Sequence, residues 1–292
     1  MSAIEREVQS QPELWRRAQD QVAALDGVLP DSDARVAAIG CGTSWYMAES
    51  YASLREEETG ARTDAFSASE ARLERDYDVV VAISRSGVTT EVERALRRAS
   101  TAGARTVVVT AVPGSSLALQ ADDAVILKFA DERSLVQTRF ATTALALLRA
   151  SLGVSLEAAA EDADLALAAA LPFDPADFER LVFLGSGWTV GLAAEAALKL
   201  REAAGAWSEA YPAMEYRHGP LSVSARTAVW LLSSAPEGLV AEIQAAGATV
   251  VAGTLDPMAE LVRIHRLAVA LAHARSTDPD NPPFLSRAVV LS

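Results

Sequence analysis

The stretch "RVAAIGCGTSWYMAESYASLRE", residues 35–56, decides the fold because its pattern changes at a glycine turn. It begins with a continuous apolar run that ends in Gly40-Cys41-Gly42, which is typical of a strand buried on both faces. The residues that follow include neither glycine nor proline, which favours a helix. The stretch therefore predicts one βα unit: a strand, a glycine turn and a helix.

The same order of patterns continues along the chain. Further strand-like runs that end in turns are "YDVVVAISRSG" (77–87), "ARTVVVTAVPGSS" (104–116) and "ADDAVILKFA" (121–130). Helical patterns follow in "TTEVERALRRASTAG" (89–103) and "TRFATTALALLRASLG" (138–153). Strands that alternate with helices predict βαβ units and a parallel sheet.

A second copy of the deciding stretch lies at residues 180–202, "RLVFLGSGWTVGLAAEAALKLRE". Both copies place a glutamate and then Leu-Arg-Glu after the Gly-x-Gly turn, at residues 49 and 54–56 in the first and at 195 and 200–202 in the second. The second copy has one extra residue before its glutamate. Such internal similarity indicates a duplicated structural unit.

The remainder of the chain fits two domains. "TAVWLLSSAPEG" (227–238), "GATVVAGTL" (247–255) and the tail "NPPFLSRAVVLS" (281–292) are all predicted as strands. A helix and a proline-punctuated connector follow residue 155. We therefore expect an α/β protein with two tandem doubly wound domains: 1–155, with a leading helix, and 156–292, with the charged helix and the tail.

Composition excludes several classes of function. The formal net charge of −13 argues against a nucleic-acid surface, which needs basic patches. The single cysteine excludes an internal disulfide framework and fits a reducing compartment. No run approaches the roughly 18 apolar residues of a membrane span, and no signal peptide is evident. We expect a cytoplasmic protein that binds neither membrane nor nucleic acid.

Two predicted strand-to-helix turns carry hydroxyl groups. "GCGTSWY" (40–46) offers Thr43 and Ser44, and "SRSGVTTE" (84–91) offers Ser84, Ser86 and Thr89. Backbone N–H groups at a helix start favour an anion, and ligands of open α/β sheets bind where parallel strands end. Hydroxyls at these positions also serve as ordinary helix caps. Together the two turns favour phosphate binding.

The second copy also carries a row of charges. Glu195, Lys199 and Glu202 fall at spacings of four and three, so they share one helix face and are followed by His218-Gly219-Pro220. A carboxylate tuned toward neutral pH is what proton transfer next to a carbonyl requires, and we expect Glu202 in a drier position with a raised pKa. The alternative is a simple salt bridge on a solvated face. His265 and His273 lie in a pattern typical of an ordinary amphipathic helix, and the histidines and cysteine lack metal-ligand spacing.

These motifs resemble a known family. "GCGTSWY", "SRSGVTTE", "AVPGSSL", "DERSLVQTRFATT", "ALKLREAAGAWSEAYPAMEYRHGPLSV" and "DNPPFLSRAVVLS" are similar to sugar isomerase (SIS) domains, in particular the isomerase half of glucosamine-6-phosphate synthases. The resemblance runs from about residue 33 to residue 292 and implies two flavodoxin-like domains. The glutaminase half, with its N-terminal nucleophilic cysteine, has no counterpart in the sequence, so ammonia delivery from glutamine is not expected.

The resemblance implies a role for each matching residue. The phosphate would be held by Ser44, Ser84, Arg85, Ser86 and Thr89, with Arg85 standing where the synthases have glutamine. The sugar would meet Gly42, Thr43, Val136 and Gln137. Glu202 would be the base between C1 and C2, supported by Glu195 and Lys199. His218 would assist ring opening from the neighbouring subunit, which implies a homodimer.

One position departs from the family pattern. The synthases carry a lysine in the C-terminal tail whose amine attacks the sugar carbonyl, and the matching residue here is Arg287. A guanidinium stays protonated and forms no imine. We therefore expect a cofactor-free and metal-free enzyme that isomerises and deaminates an amino-sugar or hexose 6-phosphate. A dehydratase that eliminates the C3 hydroxyl and a non-catalytic phosphosugar sensor are the alternatives.

Overall fold

The computed structural model describes residues 1–291. The strands are β1 (Val36–Gly40), β2 (Thr63–Ser67), β3 (Val79–Ile83), β4 (Arg105–Thr110), β5 (Asp123–Ile126), β6 (Arg180–Gly185), β7 (Trp207–Pro212), β8 (Ala228–Leu231) and β9 (Thr249–Ala252). The helices are α1 (Ala3–Gln9), α2 (Gln11–Gln21), α3 (Thr43–Thr59), α4 (Thr90–Thr101), α5 (Ser116–Gln120), α6 (Arg139–Ala150), α7 (Glu157–Ala168), α8 (Thr189–Ala204), α9 (Leu239–Ala245) and α10 (Pro257–Ala274). Within residues 1–291, every helix is too short or too polar to cross a lipid bilayer.

The first sheet has the strand order β2-β1-β3-β4-β5, and all of its neighbours pair in parallel. This is the doubly wound order in which the chain reverses direction across the sheet next to its first strand. Every residue of β1 and β3 is buried, as their unbroken apolar sequences predict. Strand β2 was missed because "TDAFS" is polar and lies at the sheet edge.

The second sheet has the order β7-β6-β8-β9, again parallel throughout. Its order matches that of β2-β1-β3-β4, as a duplication predicts. Val182, Leu184, Val229 and Leu231 form its core together with Leu239 of α9. The sequence gives no strand signal for β7, "WSEAYP", because an edge strand is polar on its open side. The prediction of an α/β protein with two parallel sheets flanked by helices is confirmed.

The first glycine of each Gly-x-Gly turn is required by close packing. A Cβ atom on Gly40 would lie 2.5 Å from the backbone carbon of Ser44, and one on Gly185 would lie 2.2 Å from the Thr189 carbonyl oxygen. In both copies the helix therefore starts so close to its strand that only a hydrogen atom fits between them. The two turns are equivalent in packing as well as in sequence.

The described chain divides into two compact units. The first-sheet unit contains residues 13–132, 137–157 and the tail from Ser286, and the second-sheet unit contains residues 1–12, 133–136 and 158–285. The predicted domain division after residue 155 stays a prediction, since a compact unit built from several segments does not test it.

The ends of the chain differ from their predicted structure. The single leading helix is broken at Ser10 into α1 and α2. The predicted tail strand is wrong for residues 281–291, which form no strand, while Ser292 lies outside the described residues. Instead, Thr90 in α4 donates its N–H to the Val289 carbonyl at 3.2 Å and accepts from the Leu291 N–H at 2.9 Å. The first turn of α4 thus takes up backbone groups that a sheet would otherwise pair.

Candidate active site

A small cavity lies where β1 and β3 end in the first-sheet unit. Its volume is about 30 Å³, and it is lined by Cys41, Ser44, Ile83, Ser84, Arg85, Ser86, Thr89, Val92, Gln137 and Arg287. All five residues that the sequence assigns to phosphate binding are in this lining, and so are Gln137 and Arg287. Two turns about 40 residues apart in sequence meet here because their strands are neighbours in the sheet.

The hydroxyl groups of this cavity are not spent on helix capping. Helix α3 follows Gly42 and α4 follows Thr89, and neither helix has a side-chain cap. The hydroxyl of Ser84 is buried and has no hydrogen-bond partner within residues 1–291. The Ser86 hydroxyl has only a long contact, 3.4 Å, from the Val88 N–H. Helix capping therefore does not explain the hydroxyl of Thr89. The hydroxyl groups of the cavity remain as donors for an anion.

A buried ion pair forms the wall of the cavity. Arg85 and Glu132 have side chains that are 1% and 0% exposed, and Arg85 Nη1 lies 3.4 Å from Glu132 Oε2. The other carboxylate oxygen of Glu132 accepts from the backbone N–H groups of Thr138 at 2.6 Å and Arg139 at 2.8 Å. Arg85 is therefore held in place by Glu132, which offsets the cost of burying its charge.

Arg287 reaches the same cavity from the C-terminal tail. Its guanidinium pairs with Asp131 and donates to the Glu132 carbonyl, while its own carbonyl accepts from Arg85 Nη2 at 3.3 Å. The tail is thus fixed to the cavity wall through both its side chain and its backbone. Arg287 stands at the cavity as a cation, as the sequence predicts, with no amine available for imine formation.

The remaining predicted sugar contacts lie outside the cavity lining. Gly42 precedes α3, and Thr43 is the buried first residue of that helix. Both lie between Cys41 and Ser44, which line the cavity. Val136 is completely buried and belongs to the second-sheet unit, where its carbonyl accepts from the Ser134 hydroxyl at 2.8 Å. Contacts of these three residues with a sugar stay predictions.

The charge row occupies one face of α8 in the second-sheet unit. Lys199 Nζ lies 3.4 Å from Glu195 Oε1 and also pairs with the carboxylate of Glu202. The Glu195 and Lys199 side chains are 0% and 1% exposed, and that of Glu202 is 18% exposed. A solvated salt bridge is therefore the wrong interpretation of this row.

The burial of the two carboxylates is the reverse of the sequence expectation. Glu195 lies in the middle of α8, where α10 packs against it, and is the drier group. Glu202 lies near the end of α8, two residues before Ala204, and keeps some contact with solvent. The row thus runs from the buried Glu195, through the buried Lys199, to the partly exposed Glu202.

His265 joins this row from α10, although the sequence favoured an ordinary amphipathic helix there. Its Nε2 atom lies 4.0 Å from Glu195 Oε1, and its side chain is fully buried. Burial, with a further contribution from the nearby Lys199 charge, lowers the pKa of His265 to about 3. Sequence reasoning missed His265 because its burial depends on the packing of α10 against α8, which the sequence of α10 does not indicate.

His218 is not brought to the charge row within the described chain. It lies on an exposed loop between two short 3₁₀ helices, Met214–Arg217 and Pro220–Val223. Its backbone N–H donates to Glu215 at 2.9 Å, and its ring makes no hydrogen bond or ion pair within residues 1–291. The contribution of His218 to another subunit stays a prediction.

Residues 29–152 match the family described as "SIS domain". This part of the chain is a SIS domain. A glutamine–fructose-6-phosphate aminotransferase [isomerizing] from Symbiobacterium thermophilum is 30% identical over 322 aligned positions, covering 88% of this chain. The chain spans only 52% of the length of that relative.

Solved structures share the fold of the whole chain. Glucosamine-6-phosphate deaminase from Thermotoga maritima superposes with a TM-score of 0.84 at 27% identity, covering 99% of this chain and 100% of its own. Tagatose-6-phosphate ketose/aldose isomerase from Escherichia coli has a TM-score of 0.82 at 21% identity, covering 100% of this chain and 96% of its own, and supports the fold alone. The chain thus has the fold that these two structures share.

Proposed function

We propose that this protein is an enzyme that deaminates an amino-sugar 6-phosphate, such as glucosamine 6-phosphate, by aldose–ketose isomerisation. The observation that carries the proposal is the buried row on α8. Lys199 is enclosed between a fully buried carboxylate at Glu195 and a partly exposed one at Glu202. Burying the charges of Glu195 and Lys199 beside a third charge costs free energy and adds no apolar packing to the core. A chemical role therefore explains the row better than a structural one.

The cavity of the first-sheet unit supplies the phosphate site in this proposal. A phosphate monoester carries about two negative charges and accepts several hydrogen bonds. Serine and threonine hydroxyls, the first N–H groups of α3 and α4, and two guanidinium groups are donors that suit it. The protein as a whole has a net charge of −13, so these local donors must hold the anion against an unfavourable field.

Glu202 acts as the base in the proposed reaction. It removes the proton from C2 of the open-chain sugar, and the electron pair moves into an enolamine between C1 and C2. Return of a proton to C1 leaves an imine at C2, to which water adds, and ammonia leaves as the ketose forms. Lys199, next to Glu202, holds the carboxylate in place for proton transfer.

Arg287 restricts which reactions this site can carry out. A guanidinium binds a hydroxyl or an oxyanion of the sugar but forms no imine with it, so no step passes through a Schiff base at this residue. The same observation favours a second candidate, in which the C2 carbanion expels the C3 hydroxyl and the enzyme is a dehydratase. Both candidates share the first step and differ in the fate of the carbanion.

The proposal includes a homodimer in which His218 serves the partner's substrate. The exposed position of the ring supports it, as do large apolar side chains exposed near it in sequence at Trp207, Met214 and Val223. Sedimentation velocity measures the oligomeric state, and a protein that stays monomeric at the concentration of the assay would contradict this part of the proposal.

The experiment is incubation with glucosamine 6-phosphate in deuterated water, followed by NMR and an ammonia assay. Deuterium at C1 of fructose 6-phosphate, with one ammonia released per ketose, supports deamination. An unsaturated, dehydrated product supports the dehydratase. Thermal stabilisation by the sugar phosphate with no exchange at C2 would contradict both and leave binding without catalysis.

A further inference from the structure

A buried histidine touches the charge row of α8 without belonging to the chemistry proposed above. His265 of α10 approaches Glu195 Oε1 through Nε2, at 4.0 Å. On the opposite side of the ring, Nδ1 lies 3.2 Å from Gln11 Nε2, at the start of α2. Gln11, Glu195 and His265 are all at most 1% exposed and lie in one compact unit.

Gln11 determines which ring nitrogen carries the proton. Its Nε2 also donates to the Val8 carbonyl at 3.2 Å, so the NH₂ group of the amide is the end that faces both atoms. An amide NH₂ group only donates, so Nδ1 of His265 must accept and carries no proton. The ring is neutral because burial lowers its pKa to about 3. Its single proton is therefore on Nε2, the atom that faces Glu195.

We propose that His265 is a positioning residue, held by Gln11 as the Nε2–H tautomer and directing that N–H at the Glu195 carboxylate. A buried carboxylate needs donors around it to stay ionised. Lys199 is shared between Glu195 and Glu202, and the Nε2–H group of His265, 4.0 Å from Glu195 Oε1 and so beyond hydrogen-bond length, stabilises that carboxylate beside Lys199 by its dipole without adding another charge. His265 thus acts on Glu202 through two intervening side chains and does not touch the substrate.

The tautomer is tested without any assay of activity. The chain contains only three histidines, so ¹⁵N-histidine labelling gives a simple imidazole NMR spectrum in which His265→Gln and His273→Gln identify the signals. We expect His265 to show a proton-bearing Nε2 and a bare Nδ1, unchanged between pH 8 and pH 5. A proton on Nδ1, or a ring that becomes cationic in this range, would overturn the proposal.

The effect on catalysis rests on the proposed function and separates positioning from packing. We expect His265→Leu to lower kcat about tenfold or more while KM stays within about twofold, because the substrate contacts remain. His265→Gln keeps an N–H donor near the Nε2 position and should restore most of kcat. His273→Gln, on the exposed end of the same helix, is the matched control and should change neither constant.

Gln11→Leu keeps the histidine and removes only the group that selects its tautomer. We expect a mixture of ring tautomers in the NMR spectrum and a fall in kcat smaller than that of His265→Leu. Unchanged kcat in both leucine variants would overturn the positioning role. If the wild-type protein turns over no sugar phosphate, the proposed function fails, while the NMR spectra of the wild type and of Gln11→Leu still decide the tautomer.

Discussion

The two copies of the strand–turn–helix unit use the same glutamate in different ways. Glu56, near the end of α3, accepts from the Thr63 N–H at 2.8 Å and so fastens the helix to the next strand. Its counterpart on α8, Glu202, pairs instead with Lys199. The residue three positions before Glu56 is a serine, Ser53, so the first copy has no cation to draw the carboxylate away from the backbone. One lysine therefore separates a structural glutamate from a candidate base.

The arginine beside each glutamate keeps its structural use in both copies. Arg55 is buried and donates to the Thr63 hydroxyl at 2.8 Å, and Arg201 donates to the Ser208 carbonyl at 2.8 Å. Each guanidinium thus ties its helix to the strand that follows, β2 or β7. The Leu-Arg-Glu motif is the same in both copies, and only the partner of its glutamate differs.

The hydroxyl groups of the two units differ in the opposite sense. In the second-sheet unit the Thr189 hydroxyl closes the turn before α8: it accepts from the Ser186 N–H at 2.8 Å and donates to the Ser186 carbonyl at 2.9 Å. At the cavity of the first-sheet unit, the hydroxyl of Ser84, in the turn between β3 and α4, has no partner within residues 1–291. The first-sheet unit therefore has a hydroxyl without a partner and a glutamate bonded to the backbone. The second-sheet unit has a hydroxyl bonded within its own turn and a glutamate that is partly exposed.

The largest expected effect is on the rate of proton transfer. Glu202→Gln should slow deuterium exchange at C2 of glucosamine 6-phosphate by about 10²–10⁴-fold, because an amide cannot take up the proton. Binding of the sugar phosphate, measured by calorimetry, should persist. The matched control is Glu56→Gln, which keeps an oxygen for the Thr63 N–H and should exchange like the wild type. Equal rates for the two variants would remove the difference between the copies.

The next effect is on stability and comes from the buried cation. Lys199→Met leaves Glu195 buried beside no ammonium group, which we expect to cost about 3–5 kcal/mol of the free energy of unfolding. Urea denaturation measures this loss. Arg201→Met, two residues on and exposed, removes one hydrogen bond and should cost only about 0.5–1.5 kcal/mol. A similar small loss in both variants would mean that the row is not electrostatically coupled.

Much of the fold was predictable because it depends on local periodicity. Strands β1 and β3 are buried on both faces, so each is an unbroken apolar run, and the glycine turns mark where they end. Edge strands such as β2 and β7 have no such signal, since half of their surface need not be apolar. The tail was misassigned for a related reason: "AVVLS" has strand composition, but its partner is the first turn of α4, which no periodicity reveals.

The members of the charge row on α8 were predictable from the sequence, and their environment was not. Spacing alone places Glu195, Lys199 and Glu202 on one helix face. Which of the carboxylates is dry depends on where α10 packs, and this long-range contact has no signature in the helix itself. The same packing hides His265, whose burial turns a residue of unremarkable sequence context into a neighbour of Glu195.

A smaller effect is expected where the two copies are alike. Gly40→Ala and Gly185→Ala each place a methyl group against the start of a helix, at 2.5 Å and 2.2 Å from backbone atoms, and each should cost about 1–3 kcal/mol of stability. Thermal denaturation checks both values. Gly40→Ala should also weaken phosphate binding, because the displaced residue is Ser44, whereas Gly185→Ala should not. Loss of phosphate binding in both variants would argue that the two turns share that function.

The smallest expected effect isolates one open hydroxyl. Ser84→Ala removes a group that bonds to nothing within residues 1–291, so stability should change by no more than about 0.5 kcal/mol. Because a hydrogen bond to a charged group contributes about 1.5 kcal/mol or more, the Kd for a sugar phosphate should rise about tenfold. Thr189→Val is the control from the other copy, where the hydroxyl closes its own turn. The Thr189→Val variant should lose stability and keep the wild-type Kd. A raised Kd in Thr189→Val together with an unchanged Kd in Ser84→Ala would contradict the assignment of the anion to the turn that holds Ser84.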